Sequence, residues 1–424
     1  MPKAPVPKEE PKRPVKKRNN GYMKPKPLPK GEVLVDLNKC KWVIGPSVGV
    51  GGFGEVYSAH RESEKGPQPL YAVKIEPHQN GPLFCEMHFY LRVGKDEYIS
   101  EWVSQRKVPH LGVPRLHGKG SHMVDGEKYR FLVIDRFGRD LWSIFEENSR
   151  HFPTSTVFKI ALQIVDVLQY IHEKGYVHGD VKASNLLLGI KKGTENQVYL
   201  VDYGLAGRYS TKEFKPNKDQ AHNGTIEYTS RDAHLGVQTR RGDLEVLGFN
   251  MLQWIASRLP WEGDLKNPVK VQKMKEEFMT NIPASIKKMG GDVPVALEKF
   301  LIYVKKLGHD EEPDYDHCRK LFEAGLKGCR DGAAGSKLVF KVGVAAAASR
   351  VKSPVRKAPK KSARQASSSS ASDVEPEEEP LAKKARKRVA KKKVNGESKP
   401  SWRDFPTIVA GRVERPGQLK GKSD

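Results

Sequence analysis

A polar segment between two apolar runs is the feature that most restricts how this chain folds. Asp180, Lys182 and Asn185 lie between the apolar runs 176–177 and 186–188. Apolar flanks this close to a charged segment must be buried, so the polar residues are held against a packed core. An ordinary exposed loop is therefore a poor interpretation, and a chemical role is favoured.

The spacing of these residues predicts what that role is. A lysine two positions and an asparagine five positions after the aspartate match the D-x-K-x-x-N part of a kinase catalytic loop. In phosphoryl transfer, Asp180 can orient an attacking hydroxyl and accept its proton. Lys182 can neutralise charge on the transferred group, and Asn185 can bind a magnesium ion.

A second aspartate follows a short apolar strand. Asp202 comes directly after the predicted strand 198–201 and just before Gly204. Carboxylate oxygens are ligands that magnesium prefers, so Asp202 is predicted to link the metal to the β and γ phosphates. Taken alone, the segment would by default be interpreted as a turn after a strand.

A glycine-rich segment precedes both motifs. It is followed by another strand-like run and not by a helix, which favours a hairpin lid over phosphates rather than a dinucleotide-binding turn. Glycines also mark ordinary hairpin turns, so this motif alone leaves that alternative open. The predicted lid spans 48–56 and includes Val48, Gly49, Gly51, Gly52, Phe53, Gly54 and Val56.

A lysine inside a predicted strand is the next candidate. Lys74 lies in the apolar run 69–75, where it is either an exposed edge residue or a buried cation that binds the α and β phosphates. Glu86, on the predicted helix 83–93, is the favoured partner. Glu76 is the rival, but it lies on the same strand as the lysine.

The order of the predicted elements indicates two lobes. Strands dominate before Gly138, and helices dominate after it. Apolar residues from Val157 to Ile171 recur every three or four positions, as on a buried helix face. Further helices are predicted at 243–257, 269–280, 294–307 and 315–326. The fold class is therefore α+β with a β-rich first lobe and a helical second lobe.

Charge is concentrated at the two ends of the chain. The formal net charge is +24, of which residues 1–30 carry +8, residues 341–424 carry +13 and the middle only +3. Nucleic-acid binding is therefore predicted for the ends and not for the core. Both ends are rich in Lys, Pro or Ser and poor in large apolar side chains, so we expect them to be disordered.

Other protein classes are disfavoured by composition. No run approaches the roughly 18 apolar residues of a membrane span, and the N-terminus lacks the apolar segment of a secretory signal. The four cysteines form no CxxC pair, so we expect reduced thiols rather than a disulfide framework or structural zinc; they are Cys40, Cys85, Cys318 and Cys329.

With these motifs in view, the chain resembles a eukaryotic protein kinase of the casein kinase one group, and within it a vaccinia-related kinase. The pattern is most similar to the active nuclear member of that family. The segments that carry the resemblance are His178-Gly179-Asp180, Asp202-Tyr203-Gly204, 80–84, 135–138, 224–230, 240–245 and 259–262.

The resemblance implies a bilobal kinase fold with disordered basic tails at 1–35 and 333–424. The kinase domain would span 36–332, divided into an N-lobe at 36–137 and a C-lobe at 138–332. ATP and Mg²⁺ are implied, with Lys74 paired to Glu86 over ATP and Asn185 and Asp202 holding the metal. The remaining implied roles are gatekeeper for Ile134, adenine contacts through the backbones of Asp135 and Phe137, and catalytic pairing of Thr225 with Lys182.

Two departures from the general kinase pattern carry expectations. Gly179 replaces an arginine that many kinases neutralise with a phosphate, so we expect activity without phosphorylation of residues 205–230. The segment 230–234 replaces the usual Ala-Pro-Glu, which leaves open how the preceding segment is anchored. Asp243 is expected to hold the catalytic loop backbone, although it also suits a helix cap.

The resemblance further implies a monomeric Ser/Thr kinase acting on nuclear and chromatin proteins, in cell-cycle, chromatin and nuclear-envelope regulation. Histone tails and the barrier-to-autointegration factor are the implied substrates, and the nucleus the implied location, with some cytoplasmic protein. The basic cluster 383–393 is typical of nuclear import or of DNA or nucleosome contact, or has no partner. The alternative function is a catalytically weak or inactive kinase-fold scaffold that binds chromatin through its tails.

Overall fold

A computed structural model describes residues 25–51, 54–64, 69–329, 335 and 337–341, with the backbone of 408–409 and 412–413. The chain divides into two units, Met1–Lys352 and Ser353–Asp424. Predictions for residues 1–24, for Gly52 and Phe53, and for the basic cluster 383–393 lie outside the described residues. No helix of the described part is long and apolar enough to cross a membrane.

The first lobe is an antiparallel sheet with two helices. The sheet order is β1-β2-β3-β4-β6-β5. Its elements, in chain order, are β1 (Val33–Val35), β2 (Lys41–Val50), β3 (Glu55–Arg61), β4 (Tyr71–Pro77), α1 (Pro82–Val93), α2 (Asp96–Arg106), β5 (Leu116–Val124) and β6 (Glu127–Asp135).

Side-chain alternation divides this sheet between two cores. On β4, Ala72 packs in the main core of the molecule, whereas Val73 and Ile75 pack in a smaller cluster with Trp42. Successive side chains of a strand point to opposite faces, so the two clusters lie on the two faces of the sheet. Lys74 therefore shares the face of Ala72, which is the face toward the main core.

The N-terminal boundary differs from the prediction, because residues 25–35 are part of the first lobe. The backbone N–H of Leu28 donates to the hydroxyl of Tyr57 at 2.9 Å, and that of Lys26 donates to Tyr129 at 3.1 Å. Leu28 and Leu34 are buried in the smaller cluster. The outer face of the sheet needs an apolar cover, and this segment supplies it.

The second lobe is mainly helical, as predicted. Its elements are α3 (Leu141–Glu147), α4 (Thr154–Glu173), β7 (Tyr176–Val177), β8 (Leu186–Leu188), β9 (Val198–Leu200), β10 (Gly207–Arg208), α5 (Arg231–His234), α6 (Arg240–Ala256), α7 (Pro268–Thr280), α8 (Ile282–Met289), α9 (Val295–Lys306) and α10 (Tyr315–Lys327). In these two lobes, the sequence did not predict helices α2, α3, α5 and α8 or strands β1, β5, β7, β8 and β10. β7 pairs with β10 and β8 with β9 in short antiparallel ladders.

Helices α4 and α6 form the buried centre of this lobe. Fifteen residues of α4 and fifteen of α6 are buried, including charged groups such as Asp243 and Glu245. The Oγ1 of Thr239 caps α6 by accepting from the N–H of Gly242 at 3.0 Å. Helices buried on most sides give the lobe a rigid base, onto which the loops of the candidate site attach.

The C-terminal boundary also differs from the prediction at residue 332, because residues 337–341 pack on α4. Leu338 is buried, and Thr156 Oγ1 donates to the carbonyl of Val339 at 2.6 Å. The ring of Phe340 lies 5.2 Å from that of Phe152. Leu338 and Phe340 are the apolar residues that hold this segment to the lobe. In the second unit, β11 (Ile408–Val409) pairs antiparallel with β12 (Arg412–Val413).

Candidate active site

The loop between β7 and β8 brings Asp180 and Lys182 to Thr225. Lys182 Nζ lies 2.6 Å from Asp180 Oδ2 and 2.8 Å from Thr225 Oγ1. The backbone N–H of Thr225 donates to Asp180 Oδ1 at 2.8 Å. Both carboxylate oxygens therefore have fixed partners, which orients the aspartate for contact with an incoming hydroxyl.

A buried aspartate of α6 binds the backbone of this loop. Asp243 accepts hydrogen bonds from the N–H groups of His178 at 2.7 Å and Gly179 at 2.9 Å, and its Oδ2 lies 2.9 Å from His172 Nε2. Burial alone would raise the pKa of Asp243, but these contacts outweigh it and hold the pKa below its ordinary value. The carboxylate stays ionised and fixes the loop backbone.

Backbone shape explains why glycine stands beside the aspartate. Gly179 has a φ of +76°, which lies in the left-handed region that glycine favours. A side chain there would have its Cβ 3.3 Å from Gln238 Nε2 and 3.4 Å from the Leu205 carbonyl. The loop conformation thus disfavours the arginine found at this position in many kinases.

Asn185 and Asp202 fit the requirements of a magnesium ion. Asn185 Nδ2 donates to the Asp180 carbonyl at 2.9 Å, which leaves its amide oxygen for a cation. Asp202 supplies a carboxylate from the turn after β9. In the described part of the chain, no group of three or more His, Cys, Asp or Glu side chains is arranged to hold a metal. Two protein ligands suit magnesium, which completes its shell with phosphates and water.

Lys74 is enclosed between two carboxylates. Its Nζ lies 2.6 Å from Glu86 Oε2 on α1 and 2.6 Å from Asp202 Oδ1. Burial opposes the charged lysine, but the two carboxylates raise its pKa. The side chain is 14% exposed, so the alternative of a solvent-facing edge lysine is excluded. The ammonium group of Lys74 therefore lies between α1 and the turn that carries Asp202.

A stacked aromatic pair joins α1 to the turn that carries Asp202. The ring of Tyr203 lies parallel to that of Phe89, with centroids 3.8 Å apart, and is fully buried. Asp202 itself has a φ of +66°, and a 3₁₀ turn at Tyr203–Leu205 follows it. The stack keeps α1, and with it Glu86, against this turn.

The glycine-rich segment is the hairpin between β2 and β3. Val48 and Gly49 lie at the end of β2, and Gly51 N–H donates to the Gly54 carbonyl across the turn at 2.9 Å. Val56 lies on β3 and packs against the main core. A Cβ at Gly54 would lie 2.3 Å from the Ile75 carbonyl, so the close approach to β4 requires glycine. The strand that follows excludes a dinucleotide-binding turn.

Ile134 and Asp135 end β6, and Phe137 follows them at the junction of the two lobes. The side chain of Ile134 packs in the main core, and the ring of Phe137 stacks on that of Tyr199 with centroids 4.2 Å apart. The Asp135 carboxylate binds Lys191 Nζ at 2.8 Å and His117 Nε2 at 3.1 Å. The sequence predicted a backbone role for Asp135 and gave no sign of these side-chain contacts.

Glu76 does not pair with Lys74 and instead binds the start of α1 and Arg130. Its Oε1 accepts from the N–H of Leu83, in the first turn of α1, at 2.9 Å and from Arg130 Nη1 at 3.3 Å. Its Oε2 has no hydrogen-bond partner among the described residues. Burial raises the pKa of Glu76 to about 7. The Glu76–Arg130 pair thus fixes the start of α1 to the sheet, and Arg130 is a residue that sequence reasoning missed.

Two ion pairs anchor the segment that replaces Ala-Pro-Glu. The guanidinium of Arg231 binds Glu245 Oε2 at 2.7 and 2.9 Å. The backbone N–H of Arg231 donates to Glu245 Oε1. Arg241 binds both oxygens of Asp232 at 2.7 and 2.8 Å. Both partners of each pair lie in 230–245, so the charge pattern was visible, but its pairing was not.

These features define the class of the molecule, and comparison with known proteins agrees. The family model for the protein kinase domain matches residues 42–306. Nucleosomal histone kinase 1 of Drosophila melanogaster is 49% identical over 77% of this chain, and human serine/threonine-protein kinase VRK2 is 43% identical over 72%. The matches cover only 55% and 61% of those two relatives.

A viral relative and a solved structure narrow the family. A probable serine/threonine-protein kinase of fowlpox virus is 42% identical over 70% of this chain and 97% of its own length. The structure of vaccinia related kinase 3 matches with a TM-score of 0.64 and 30% identity, over 71% of this chain and 92% of that one. The chain belongs to the vaccinia-related kinases, a family of protein kinases.

Proposed function

We propose that this protein is a Ser/Thr kinase that transfers the γ-phosphoryl group of ATP to protein hydroxyls. The observation that carries the proposal is the contact of Asp180 with both Lys182 and Thr225. Asp180 accepts the proton of the attacking hydroxyl, and Lys182 neutralises charge on the transferred group. Thr225 holds both of them in place.

The rest of the site binds the nucleotide. The hairpin 48–56 covers the phosphates, and Lys74, held by Glu86, binds the α and β phosphates. Ile134 borders the adenine site, and the backbones of Asp135 and Phe137 contact the adenine edge. Asn185 and Asp202 hold Mg²⁺, which neutralises phosphate charge when bound.

The test is transfer of labelled phosphate from ATP to core histones by wild type and by Asp180→Ala. The matched control is Asp292→Ala, which removes an exposed aspartate from the loop before α9. We expect label with wild type and the control and almost none with Asp180→Ala. Equal labelling by all three proteins would exclude this site, and no labelling by wild type would favour the inactive scaffold.

The structure supports activity without phosphorylation of residues 205–230. Gly179 leaves no arginine to neutralise, and Thr225 already contacts the catalytic loop through Asp180 and Lys182. Arg231 and Asp232 anchor the segment through ion pairs that need no phosphate. Protein made in bacteria and treated with phosphatase is expected to be active; activity that returned only after phosphorylation would contradict this.

Chromatin is the proposed setting. A nucleosomal histone kinase is among the relatives, and the two ends of this chain carry +8 and +13 around a core of +3. We propose histone tails and the barrier-to-autointegration factor as substrates of a monomeric enzyme, with the basic tails serving nuclear import and contact with DNA or nucleosomes. The nucleus is its main location, with some protein in the cytoplasm.

The tail proposal has its own test. Deleting residues 341–424 is expected to weaken DNA binding and its salt dependence while leaving phosphorylation of a short peptide intact. Fewer cationic side chains release fewer counterions from DNA, which lowers both quantities. DNA affinity that stayed unchanged in the truncated protein would contradict the tail proposal and leave the kinase proposal standing.

A further inference from the structure

A lysine with no exposed surface packs against the segment 226–229, which follows Thr225. Lys275 is on α7, and its Nζ donates to the carbonyl oxygens of Ile226 and Thr229, each at 2.7 Å. The Nε2 of His234 lies 3.4 Å away. An ammonium group has three protons, and these three acceptors account for all of them.

The surroundings of Lys275 are otherwise apolar. Its Nζ lies 5.5 Å from the ring centroid of Phe249 and 5.3 Å from that of Trp261. None of the ion pairs found among the described residues includes it, and Glu245 and Glu227 act on it only at longer range. A buried ammonium without a carboxylate contact costs several kcal/mol. The contacts that offset this cost are those to the backbone of the 226–229 segment.

Other side chains hold the same segment. Trp261 Nε1 donates to the carbonyl of Glu227 at 2.7 Å, and the hydroxyl of Tyr228 donates to Gln253 Oε1 at 2.7 Å. Together with Lys275, they fix the segment to α6, to α7 and to the loop between these helices. The 226–229 segment begins beside Thr225, which contacts Asp180. A protein substrate whose hydroxyl group lies at Asp180 would therefore bring its neighbouring residues close to this segment.

We propose that Lys275 is a positioning residue that shapes the 226–229 segment to receive the protein substrate. The inference rests on the proposed kinase function, because it assigns this segment to substrate binding. Lys275 touches neither substrate nor nucleotide. It acts through the two carbonyl groups, so its loss lowers the affinity for protein substrate and spares the ATP site.

Protonation of Lys275 links this contact to pH. Burial lowers its pKa to about 7, an effect that Glu245, paired with Arg231, and Glu227 only partly offset. Burial also lowers the pKa of His234 to about 3, so that ring is neutral and accepts from Lys275. The Nδ1 of His234 lies 2.8 Å from the Nδ1 of His222, which is the next group along the chain of contacts.

The direction of the pH effect follows from the proton count. Below pH 7, Lys275 carries three protons and donates to both carbonyl groups and to His234. As the pH rises through about 7, the lysine loses its positive charge, and its hydrogen bonds to the two carbonyl groups are no longer charge-assisted. We therefore expect the KM for protein substrate to rise over this range.

The test compares Lys275→Met with Lys270→Met in the full-length protein. Methionine keeps most of the length of the side chain and removes its ammonium group, whereas Lys270 is an exposed lysine of the same helix that pairs with Asp264. For Lys275→Met we expect the KM for core histones to rise about tenfold, as for a lost charge-assisted hydrogen bond, and the KM for ATP to stay within twofold. Lys270→Met changes neither, and Lys275→Arg restores part of the histone affinity.

Amide hydrogen exchange gives a readout that needs no activity. Residues 226–229 are expected to exchange faster in Lys275→Met than in wild type or Lys270→Met. Unchanged exchange, or a histone KM within twofold of wild type, would overturn the inference. Wild type that transfers no phosphate would instead refute the proposed function, and the exchange result would still decide whether Lys275 holds the segment.

If Lys275→Met does not fold, Lys275→Arg takes its place. Its histone KM and its exchange at residues 226–229 should both exceed those of wild type, and values equal to wild type would overturn the inference. The KM of wild type for core histones should also rise between pH 6 and 8.5. The rise should persist in Glu227→Gln, which removes the neighbouring acid whose pKa also lies at about 7. A histone KM that is flat over this range in both proteins would refute the pH dependence, and the exchange result would still decide the positioning role.

Discussion

Replacing Arg130 with methionine tests whether the Glu76–Arg130 pair positions α1. Arg130 Nη1 lies 3.3 Å from Glu76 Oε1 and 3.2 Å from the carbonyl of Asn80, and its guanidinium lies 5.0 Å from the ring centroid of Phe84. Methionine retains much of the side-chain volume, so the variant mainly removes the polar contacts. It also leaves Glu76 buried beside the first turn of α1.

The expected loss of stability follows from this geometry. Breaking a buried ion pair costs about 3–5 kcal/mol. The contact is longer than the roughly 2.8 Å of a good charge-assisted hydrogen bond, and the arginine is not fully buried, so we expect about 2–3 kcal/mol. For a domain of this size that lowers the melting temperature by about 4–6 °C.

The loss should depend on pH. Burial already raises the pKa of Glu76 to about 7. Removing Arg130 takes away a nearby positive charge and raises it further. At pH 6 the carboxyl group is protonated and needs no cation, whereas at pH 8 the charged form must be buried or must take up a proton. We therefore expect the variant to lose more stability at pH 8 than at pH 6.

Function is affected through the helix, since α1 carries Glu86, the partner of Lys74. The KM for ATP is expected to rise several-fold in Arg130→Met. Differential scanning fluorimetry and ATP kinetics would be measured for this variant, Glu76→Gln, the double variant and Lys128→Met, an exposed cation on the same strand. Identical values for Arg130→Met and Lys128→Met, or strictly additive effects in the double variant, would refute the reasoning.

Two further predictions concern the segment around Thr225. Arg231→Met leaves the buried Glu245 without its ion pair, so we expect a loss of about 3 kcal/mol and faster proteolysis near residues 210–230; equal proteolysis of wild type and variant would contradict this. Burial and the neighbouring Glu262 raise the pKa of Glu227 to about 7. An acid whose pKa is raised by folding stabilises the protein below its unfolded pKa, and this stability is lost as the pH rises through 7. The melting temperature of wild type should therefore fall between pH 5 and 8, and Glu227→Gln should fall less; parallel curves would show that Glu227 does not titrate there.

The sequence by itself predicted the candidate catalytic loop and the class of fold. Asp180, Lys182 and Asn185 lie within six positions, so their spacing is a local property that needs no knowledge of the fold. The fold class was confirmed because alternating and helical apolar patterns report directly which side of each element is buried. The two tail boundaries were less accurate, because Leu28 and the run 338–340 are short apolar stretches beside polar tails, and only the tertiary structure shows that Leu28 and Leu338 are buried.

Only the tertiary structure decided which charged groups meet. Lys74 and Glu76 lie two positions apart on one strand and therefore face the same side of the sheet, where α1 packs. Helix α1 brings Glu86 to Lys74 and the N–H of Leu83 to Glu76. Nothing in the local sequence fixes the position of α1 along the strand. Contacts between residues far apart in the chain depend on how whole elements pack.

Lys275 shows the same limit. In the sequence it is one of three lysines on α7. Val271 and Phe278 lie on the same face of the helix, four positions before and three positions after it, but this spacing does not show what the ammonium group contacts. The packing of α7 against α5 and against the 226–229 segment removes Lys275 from water, and its ammonium group contacts two backbone carbonyls 46 and 49 positions away. The residues predicted to perform the chemistry were identified from their spacing, whereas the residues that position them became visible only in the folded chain.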